Sequence, residues 1–584
     1  MKSINKIGLF VFLSSFAISL MGQETLTDTT NRATRSNLNE SVIISAQFDP
    51  IVNEAMKLSE NPSIFDTTFK VPDFKYEIIN KVYPTQIRIE EIKPARVKGE
   101  PVSMLYNGNI KAGVGTYLTS YLEGLYSETR NKTLLYSIHA RHYSSHWSIN
   151  DYPINHFANN DINIYGKKIW DKFFIDAKVY YNNSINYYYG FNNDSIKLKD
   201  KNFRALWHNV GFKTTYSSLY RNDNSLHHWV SLGVENLSSK WNSNELTFFA
   251  MADANKKFEL FNKEKQVLGL KINYKHSFFK YDIQNIYSAP YFLNQLYPLL
   301  NFNTENLASN PTYNTAIVEI KPYFDFKINR FQLHTALNFS PEFGQKSDFR
   351  LLPTAIVYFP IIPKKLYFQA GIEGNVERIA LNNFRIENPY ISPFLQIKPT
   401  TKINLFAKLN SNINDMGISV EGGIQDITNH HFYINDTLSY YKNMFSIVYD
   451  DVVRFYAKGH FEYNIANTLS IMLDMQYQAF KMKRIDFAYY QPAFTTSLSL
   501  QYIVAKKLII DFVPTFKTGV KAIYMGEEKK LDPIVDINLN AQYIYSNQLS
   551  FFLKLNNLAF QRYEQYCNYP SQRFMGMIGA SFSF

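Results

Sequence analysis

Side-chain alternation is the property of this chain that leaves it least freedom. Apolar and polar residues exchange places every second position, run after run, from about residue 107 onward. In one run Leu469, Ile471, Leu473, Met475, Tyr477 and Ala479 alternate with Ser470, Asp474, Gln476 and Gln478. In the next, Phe494, Thr496, Leu498, Leu500 and Tyr502 alternate with Thr495, Ser497, Ser499 and Gln501. The final run sets Gly576, Ile578, Ala580, Phe582 and Phe584 against Gly579, Ser581 and Ser583. Successive side chains of a strand point to opposite faces, so each run reads as a strand with one apolar and one polar face. About 22–24 such strands are expected by this test. A soluble sandwich would also alternate. A barrel in a bilayer alternates along nearly the whole chain, with lipid outside and a polar interior. The expected fold class is therefore all-β, a large antiparallel transmembrane β-barrel.

The other end of the chain agrees. Lys2 and Lys6 precede the apolar stretch 7–18 and then Ser19, Leu20, Met21 and Gly22, which reads as a signal peptide over residues 1–22. No later stretch approaches the roughly 18 apolar residues of a helical span. An exported chain of this kind is expected in the cell outer membrane, surrounded by its lipid. Residues 23–100 lack the alternation and read as a periplasmic or lumenal segment, leaving 101–584 for the barrel. Within that segment Asp49 and Pro50 read as a helix start, with Ile51, Ala55 and Leu58 on one face.

Composition narrows the function classes. Tyr and Phe number 43 and 47, a supply that aromatic girdles at two membrane interfaces would use. The single cysteine, Cys567, excludes an internal disulfide. The formal net charge is +11, which suits an anionic lipid surface or a lumen for anions. No clustered basic run is present, so nucleic acid is not an expected partner.

Connections between runs alternate short and long. Short ones are expected at 131–132, 171–172, 221–225, 328–330, 360–364, 399–402, 465–468, 504–507 and 545–548. Long ones are expected at 147–160, 192–202, 284–311, 481–491 and 518–533. Outer-membrane barrels have short periplasmic turns and long external loops.

The segment Leu555-Asn556-Asn557-Leu558-Ala559-Phe560, followed by Arg562-Tyr563-Glu564, Tyr569-Pro570, Arg573-Phe574 and a terminal Phe, resembles the last two strands of TonB-dependent receptors. Ala46 to Pro50, Ala55 to Leu58, Ile92 to Ala95, Leu105-Tyr106 and Ala112 to Tyr117 look like a plugless, receptor-like barrel group of Bacteroidota. The resemblance implies a porin-like or receptor-like barrel that takes part in transport of a solute. It also implies that Phe582 and Phe584 carry the signal read by the outer-membrane assembly machinery during insertion. Residues 23–100 are shorter than the family's plug and show no TonB box. That departure keeps an alternative open, a non-transporting subunit of an outer-membrane assembly or export complex. Residues 23–100 would then dock a periplasmic or outer-membrane protein.

Catalytic and metal chemistry finds no constellation. Of the 12 histidines, His142 and His146 share a face if their strand continues, and the pairs His227-His228 and His430-His431 point to opposite faces. No acidic partner stands at a metal-ligand spacing, so these read as polar wall or loop positions. Asn192-Asn193-Asp194 reads as a solvated turn rather than a calcium loop. No enzyme activity, cofactor or metal is expected.

Overall fold

The computed structural model describes residues 105–584, apart from 129, 147–151, 153–154, 192–202, 220–224, 261–263, 281–311, 345–346, 394, 436–442, 467 and 525. The signal-peptide and 23–100 readings lie outside the described residues. So do the 192–202 and 284–311 connections and all of 221–225 except Ser225.

Among the described residues, strands follow in chain order. They begin β1 Gly108–Gly115, β2 Thr119–Ser127, β3 Leu134–Ser145, β4 Phe157–Ile169, β5 Phe173–Tyr187, β6 Arg204–Ser218, β7 His227–Ser239, β8 Asn244–Leu260 and β9 Glu264–Lys280. They continue β10 Thr312–Ile328, β11 Phe331–Gly344, β12 Asp348–Ile362, β13 Leu366–Glu377, β14 Thr400–Ile413, β15 Met416–Asn435, β16 Phe445–Ile465, β17 Leu469–Met482, β18 Phe494–Val504 and β19 Leu508–Thr518. The last are β20 Lys521–Tyr524, β21 Glu527–Lys530, β22 Ile534–Ile544, β23 Leu549–Asn556, β24 Glu564–Tyr566, β25 Tyr569–Pro570 and β26 Met575–Ser583. Twenty-two of them form one sheet, and the pairs β20/β21 and β24/β25 are small hairpins in connecting loops. Every neighbour in the large sheet is antiparallel, and β26 pairs with β1 from Asn109↔Ser583 to Gly115↔Met577. The sheet is thus a closed barrel of 22 strands, as the alternation requires.

Closure depends on residues without side chains at the seam. The amide of Gly108 donates to the Phe584 carbonyl and the Phe584 amide to the Gly108 carbonyl, both at 2.9 Å. A Cβ on Gly579 would stand 2.3 Å from the carbonyl oxygen of Ala112 and 2.3 Å from the Phe552 ring. Backbone cannot yield there. The same economy recurs inside the barrel. The rings of Tyr180, Phe249 and Tyr323 lie where Cβ atoms of Gly211, Gly233 and Gly269 would be, each 2.1 Å away. Each ring covers the glycine directly opposite it on a neighbouring strand, which shields exposed backbone.

The two faces separate cleanly. Leu122, Ile162, Val179, Val210, Leu232 and Val420 face outward and are exposed, as a lipid-facing band requires. Aromatic pairs stand on the outer face beside the short turns: Tyr126 with Tyr136, Trp170 with Phe173, Phe324 with Phe326, and Tyr545 with Phe551. Inward residues form polar ladders. Glu123 accepts bonds from Tyr121 at 2.7 Å and His139 at 2.9 Å, and Arg141 meets Asp161. His460 bonds Asp474 at 2.7 Å on the lumen side of β16 and β17.

The short-turn expectations hold at 131–132, 171–172, 328–330, 465–468, 504–507 and 545–548. The turn expected at 399–402 does not exist. Lys402 lies within β14, opposite Asn375 and Ile427. The real short turn is Asn414-Asp415, where Asn414 takes φ 52°, a conformation that Asn tolerates without being Gly. Strands also run further than expected. β4 starts at Phe157, β12 continues to Ile362 past a bulge after Pro360, and the 519–533 connection carries β20 and β21.

Four substitutions test this geometry. Gly579→Ala should block barrel closure, seen as loss of the heat-modifiable folded band, whereas Gly124→Ala, with open space around its Cβ, should fold normally. Leu473→Arg should cost about 2–4 kcal/mol in unfolding from lipid vesicles, because the outer face meets lipid. Asp474→Asn on the lumen face should cost far less.

Candidate functional site: a loop-built cap over the mouth

Among the described residues, parts of the connections that follow β5, β13, β15, β17 and β23 fold inward at one end of the barrel and meet. Tyr188, immediately after β5, donates its hydroxyl to the Ile391 carbonyl at 2.8 Å, and its own carbonyl accepts the Asn443 side-chain amide at 2.8 Å. Ile391 follows β13 and Asn443 precedes β16, on the far side of a ring of 22 strands. The loops therefore cross the mouth.

Where they meet, they build an aromatic core. Tyr390 stacks on Tyr569 with ring centroids 3.6 Å apart and planes at 20°. Tyr189 meets Tyr569 at 4.8 Å, and Phe445 meets Tyr566 at 5.2 Å and Tyr490 at 5.4 Å. Tyr188, Phe445, Met444 and Cys567 are fully buried. Three of the tyrosines that lose water there keep a partner for the hydroxyl. Tyr189 donates to the Pro570 carbonyl at 3.1 Å, Tyr566 to the Glu387 carbonyl at 2.7 Å, and Tyr569 to the Asn443 carbonyl. Burial pushes the Cys567 thiol and the Tyr566 and Tyr569 hydroxyls up, so all three stay neutral.

Specific polar devices set the loop paths. After β13 the chain makes helix α1, Leu381–Glu387. Its own N-cap, Ala380, offers no side-chain acceptor. Glu245, at the start of β8, supplies the missing acceptor and takes the Leu381 amide at 2.7 Å. The same carboxylate pairs with Arg378 Nη1 at 2.7 Å, with side-chain exposures of 2% and 4%, so neither charge is shared with water. Arg378 also donates to Ser277 Oγ, and Lys275 Nζ donates to the Arg378 carbonyl. Asn382 adds a bond to Glu235. The helix-bearing loop is thus fastened to β7, β8 and β9, several strands from its root. On α1, burial pulls the Arg385 guanidinium down to about 10. Elsewhere, Asp450 accepts the amides of Lys483, Arg484 and Ile485 at 3.0, 2.9 and 3.1 Å and fixes the β17–β18 loop. Asn557, at φ 53°, donates to the carbonyls of Gln561 and Gln572 at 2.7 and 3.0 Å, which folds the 557–574 loop into the mouth.

A cavity of about 440 Å³ lies between this cap and the wall formed by β4, β5, β22 and β23. Tyr187, Tyr189, Tyr390 and Tyr563 supply rings, and Asn186, Asn538, Asn556 and Gln572 supply amides. The wall is low on this side, since β1, β2, β23 and β26 have only 8 or 9 residues.

Comparison with known proteins gives fold and no sequence family. No family profile matches the chain, and no curated protein sequence does. Solved structures do. The siderophore receptor PirA of Acinetobacter baumannii is 12% identical with a TM-score of 0.63, over 83% of this chain and 81% of that one. The pyoverdine outer-membrane receptor FpvA of Pseudomonas aeruginosa is 10% identical with a TM-score of 0.62, over 83% and 79%. The iron transporter FrpB of Neisseria meningitidis is 12% identical with a TM-score of 0.61, over 83% and 82%. The barrel has the fold of outer-membrane receptors.

Residues singled out in the sequence fall as follows. Phe582 and Phe584 stack on each other on the outer face at the short-turn end, 45% and 49% exposed. His430 and His431 point to opposite faces of the β15 tip, and both faces are packed. His430 stacks on Phe480, and His431 meets Phe384 edge-on. His142 bonds Asn160, Ser144 and Ser120, while His146 packs on His156. Among the described residues no group of three His, Cys, Asp or Glu could hold a metal. Glu245, Arg378 and Tyr390 escaped the sequence reading, because contacts between distant loops leave no spacing signal, whereas Tyr569 lay within the Tyr569-Pro570 motif. The Asn556-Asn557-Leu558 motif did mark the site, through Asn557.

Two measurements check the cap. Arg378→Met should cost about 3–5 kcal/mol of unfolding free energy, because it strands a buried carboxylate. Cys567, fully buried and the chain's single thiol, should resist a bulky maleimide in the folded protein and react quickly once Tyr569→Ala loosens the loops.

Proposed function

We propose that this chain is an outer-membrane barrel, similar to TonB-dependent receptors, that takes part in moving a solute across the outer membrane. The observation that carries this reading is the cap. A wide lumen with paired polar walls is covered at its long-loop end by loops fastened to one another and to the far wall. A barrel serving only as a scaffold has no need of that covering. The fold likeness to siderophore and iron receptors over 83% of the chain supports the same conclusion.

In this reading the short turns face the periplasm and the cap faces the outside. A solute meets the cap first, binds beneath it and passes along the lumen when the loops part. The apolar band meets outer-membrane lipid, and Phe582 and Phe584 serve the assembly machinery during insertion. Residues 1–22 direct export, and residues 23–100 are the segment that gates the lumen or docks a periplasmic partner. Catalysis has no part in the proposal.

Purification of the full chain from outer membranes tests it. A barrel that conducts in planar bilayers, alone or with its accessory proteins, is expected. A stoichiometric complex with assembly or export proteins and no conductance would overturn the transport reading.

A further inference from the structure

The outer face beside the seam is not even. A groove of about 790 Å³ crosses it. Ala112 and Ala580 form its floor, and Val114, Tyr543, Phe551 and Ile578 stand around them. The two alanines are direct partners across the seam, and Ala112 also pairs with the outward-facing Leu122. From the lumen side Phe552 backs the floor, with its ring 3.0 and 2.3 Å from where Cβ atoms of Gly113 and Gly579 would stand. The groove opens to lipid.

Its course follows one row of strand partners, Leu508↔Tyr543↔Phe551↔Ala580↔Ala112. The row spans four strand spacings, about 19 Å. It also climbs, because the tilted strands of a closed barrel are staggered. Leu508 is the first residue of β19, whereas Ala112 is the fifth of β1. Four residues rise about 13 Å along a strand, less after tilt, and a hydrocarbon core is about 30 Å thick. The groove thus stays within the leaflet beside the short turns and meets the rim at Leu508.

At that foot stand Lys506 and Lys507, both exposed, in the β18–β19 turn. Neither this turn nor the adjoining 545–548 turn holds an acidic residue. A narrow apolar groove with cations at its rim end matches a lipid with an anionic headgroup, which basic residues at a membrane surface attract. A protein partner suits it less. A stable protein interface buries roughly 1,200–2,000 Å², far more than a groove one row wide offers.

We propose that this groove holds one anionic phospholipid of the periplasmic leaflet, with an acyl chain over Ala580 and Ala112 and the phosphate at Lys506 and Lys507. The lipid covers the seam where the outward side chains of β1 and β26 are smallest. The assignment rests on the short turns facing the periplasm, as in the transport reading above.

Native mass spectrometry tests this on the full chain, purified from outer membranes in a mild detergent and given equal amounts of phosphatidylglycerol and phosphatidylethanolamine. One bound phosphatidylglycerol is expected to outlast the other lipids. Ala112→Leu with Ala580→Leu fills the groove and should lower that bound fraction about tenfold, the loss of contact with roughly two methylenes. Ala250→Leu, on the outer face of β8 opposite Leu232, should leave it unchanged. Lys506→Gln with Lys507→Gln should erase the preference for phosphatidylglycerol. The heat-modifiable band reports whether each variant folds. Absence of any retained phospholipid, or retention that neither double variant moves, would overturn the proposal. So would a dimer that the alanine replacements disperse, which would make the occupant a second copy of this chain. Retention of lipopolysaccharide in place of phospholipid would overturn both the proposal and the orientation on which it rests. Phospholipid retained by a barrel that does not conduct would leave the proposal standing and count against transport alone.

Discussion

A bilayer offers no partner to a backbone amide or carbonyl, and the rest of this structure depends on that. Each unpaired group would cost several kcal/mol in hydrocarbon, so a spanning sheet must have no edge. Here the last ladder, between β26 and β1, removes it. The ladder fits only because Gly579 and Gly108 leave room, Gly579 for the opposite carbonyl and Gly108 for the Phe584 ring. Alternation follows from the same closure. A closed sheet has one face for lipid and one for the lumen, and the chain must sort its residues between them at every second position.

Among the described residues, the wall of this barrel encloses only a small apolar cluster, Ile317, Leu352 and Val376 with Ile403 against it. Its outer face is solvated by lipid and its inner face by polar ladders. The dense core that a soluble domain would place at its centre sits at the mouth instead, where Tyr390, Tyr569, Phe445 and Tyr566 close on one another. That placement has a functional consequence. Core contacts there hold loops rather than the fold, so they can part without unfolding the wall. The buried Arg378 and Glu245 pair gives the arrangement direction. It anchors the helix-bearing loop to β8 and sets that loop's path across the lumen.

Much of this was legible in the sequence, and the boundary has physical causes. Strand identity and inward or outward facing followed from period-2 alternation, which survives local irregularity. The turn wrongly expected at 399–402 shows the limit. Pro399 and Thr400 look like a turn, yet Pro399 only ends a loop, and the real turn at Asn414 lacks the Gly that usually betrays such turns. Girdles at the two interfaces account for only part of the aromatic surplus. Tyr126, Tyr136 and Trp170 do stand there, but Tyr188, Tyr390, Tyr490 and Tyr569 went to the cap. Composition counts rings without locating them, and the loops that carry these look polar. Asn557 lay within a motif whose resemblance to receptor sequences was visible. Its work, an αL residue holding a loop in the mouth, required coordinates.

The central claim is that the loops, held to one another, shut the lumen off from the outside. It can be measured on cells carrying Ser497→Cys in a Cys567→Ser background, which places one thiol on the lumen wall beneath the cap. A membrane-impermeant maleimide added outside should label it slowly, and quickly once Tyr390 and Tyr569 are both replaced by Ala. Equal labelling rates with and without the two rings would contradict the account.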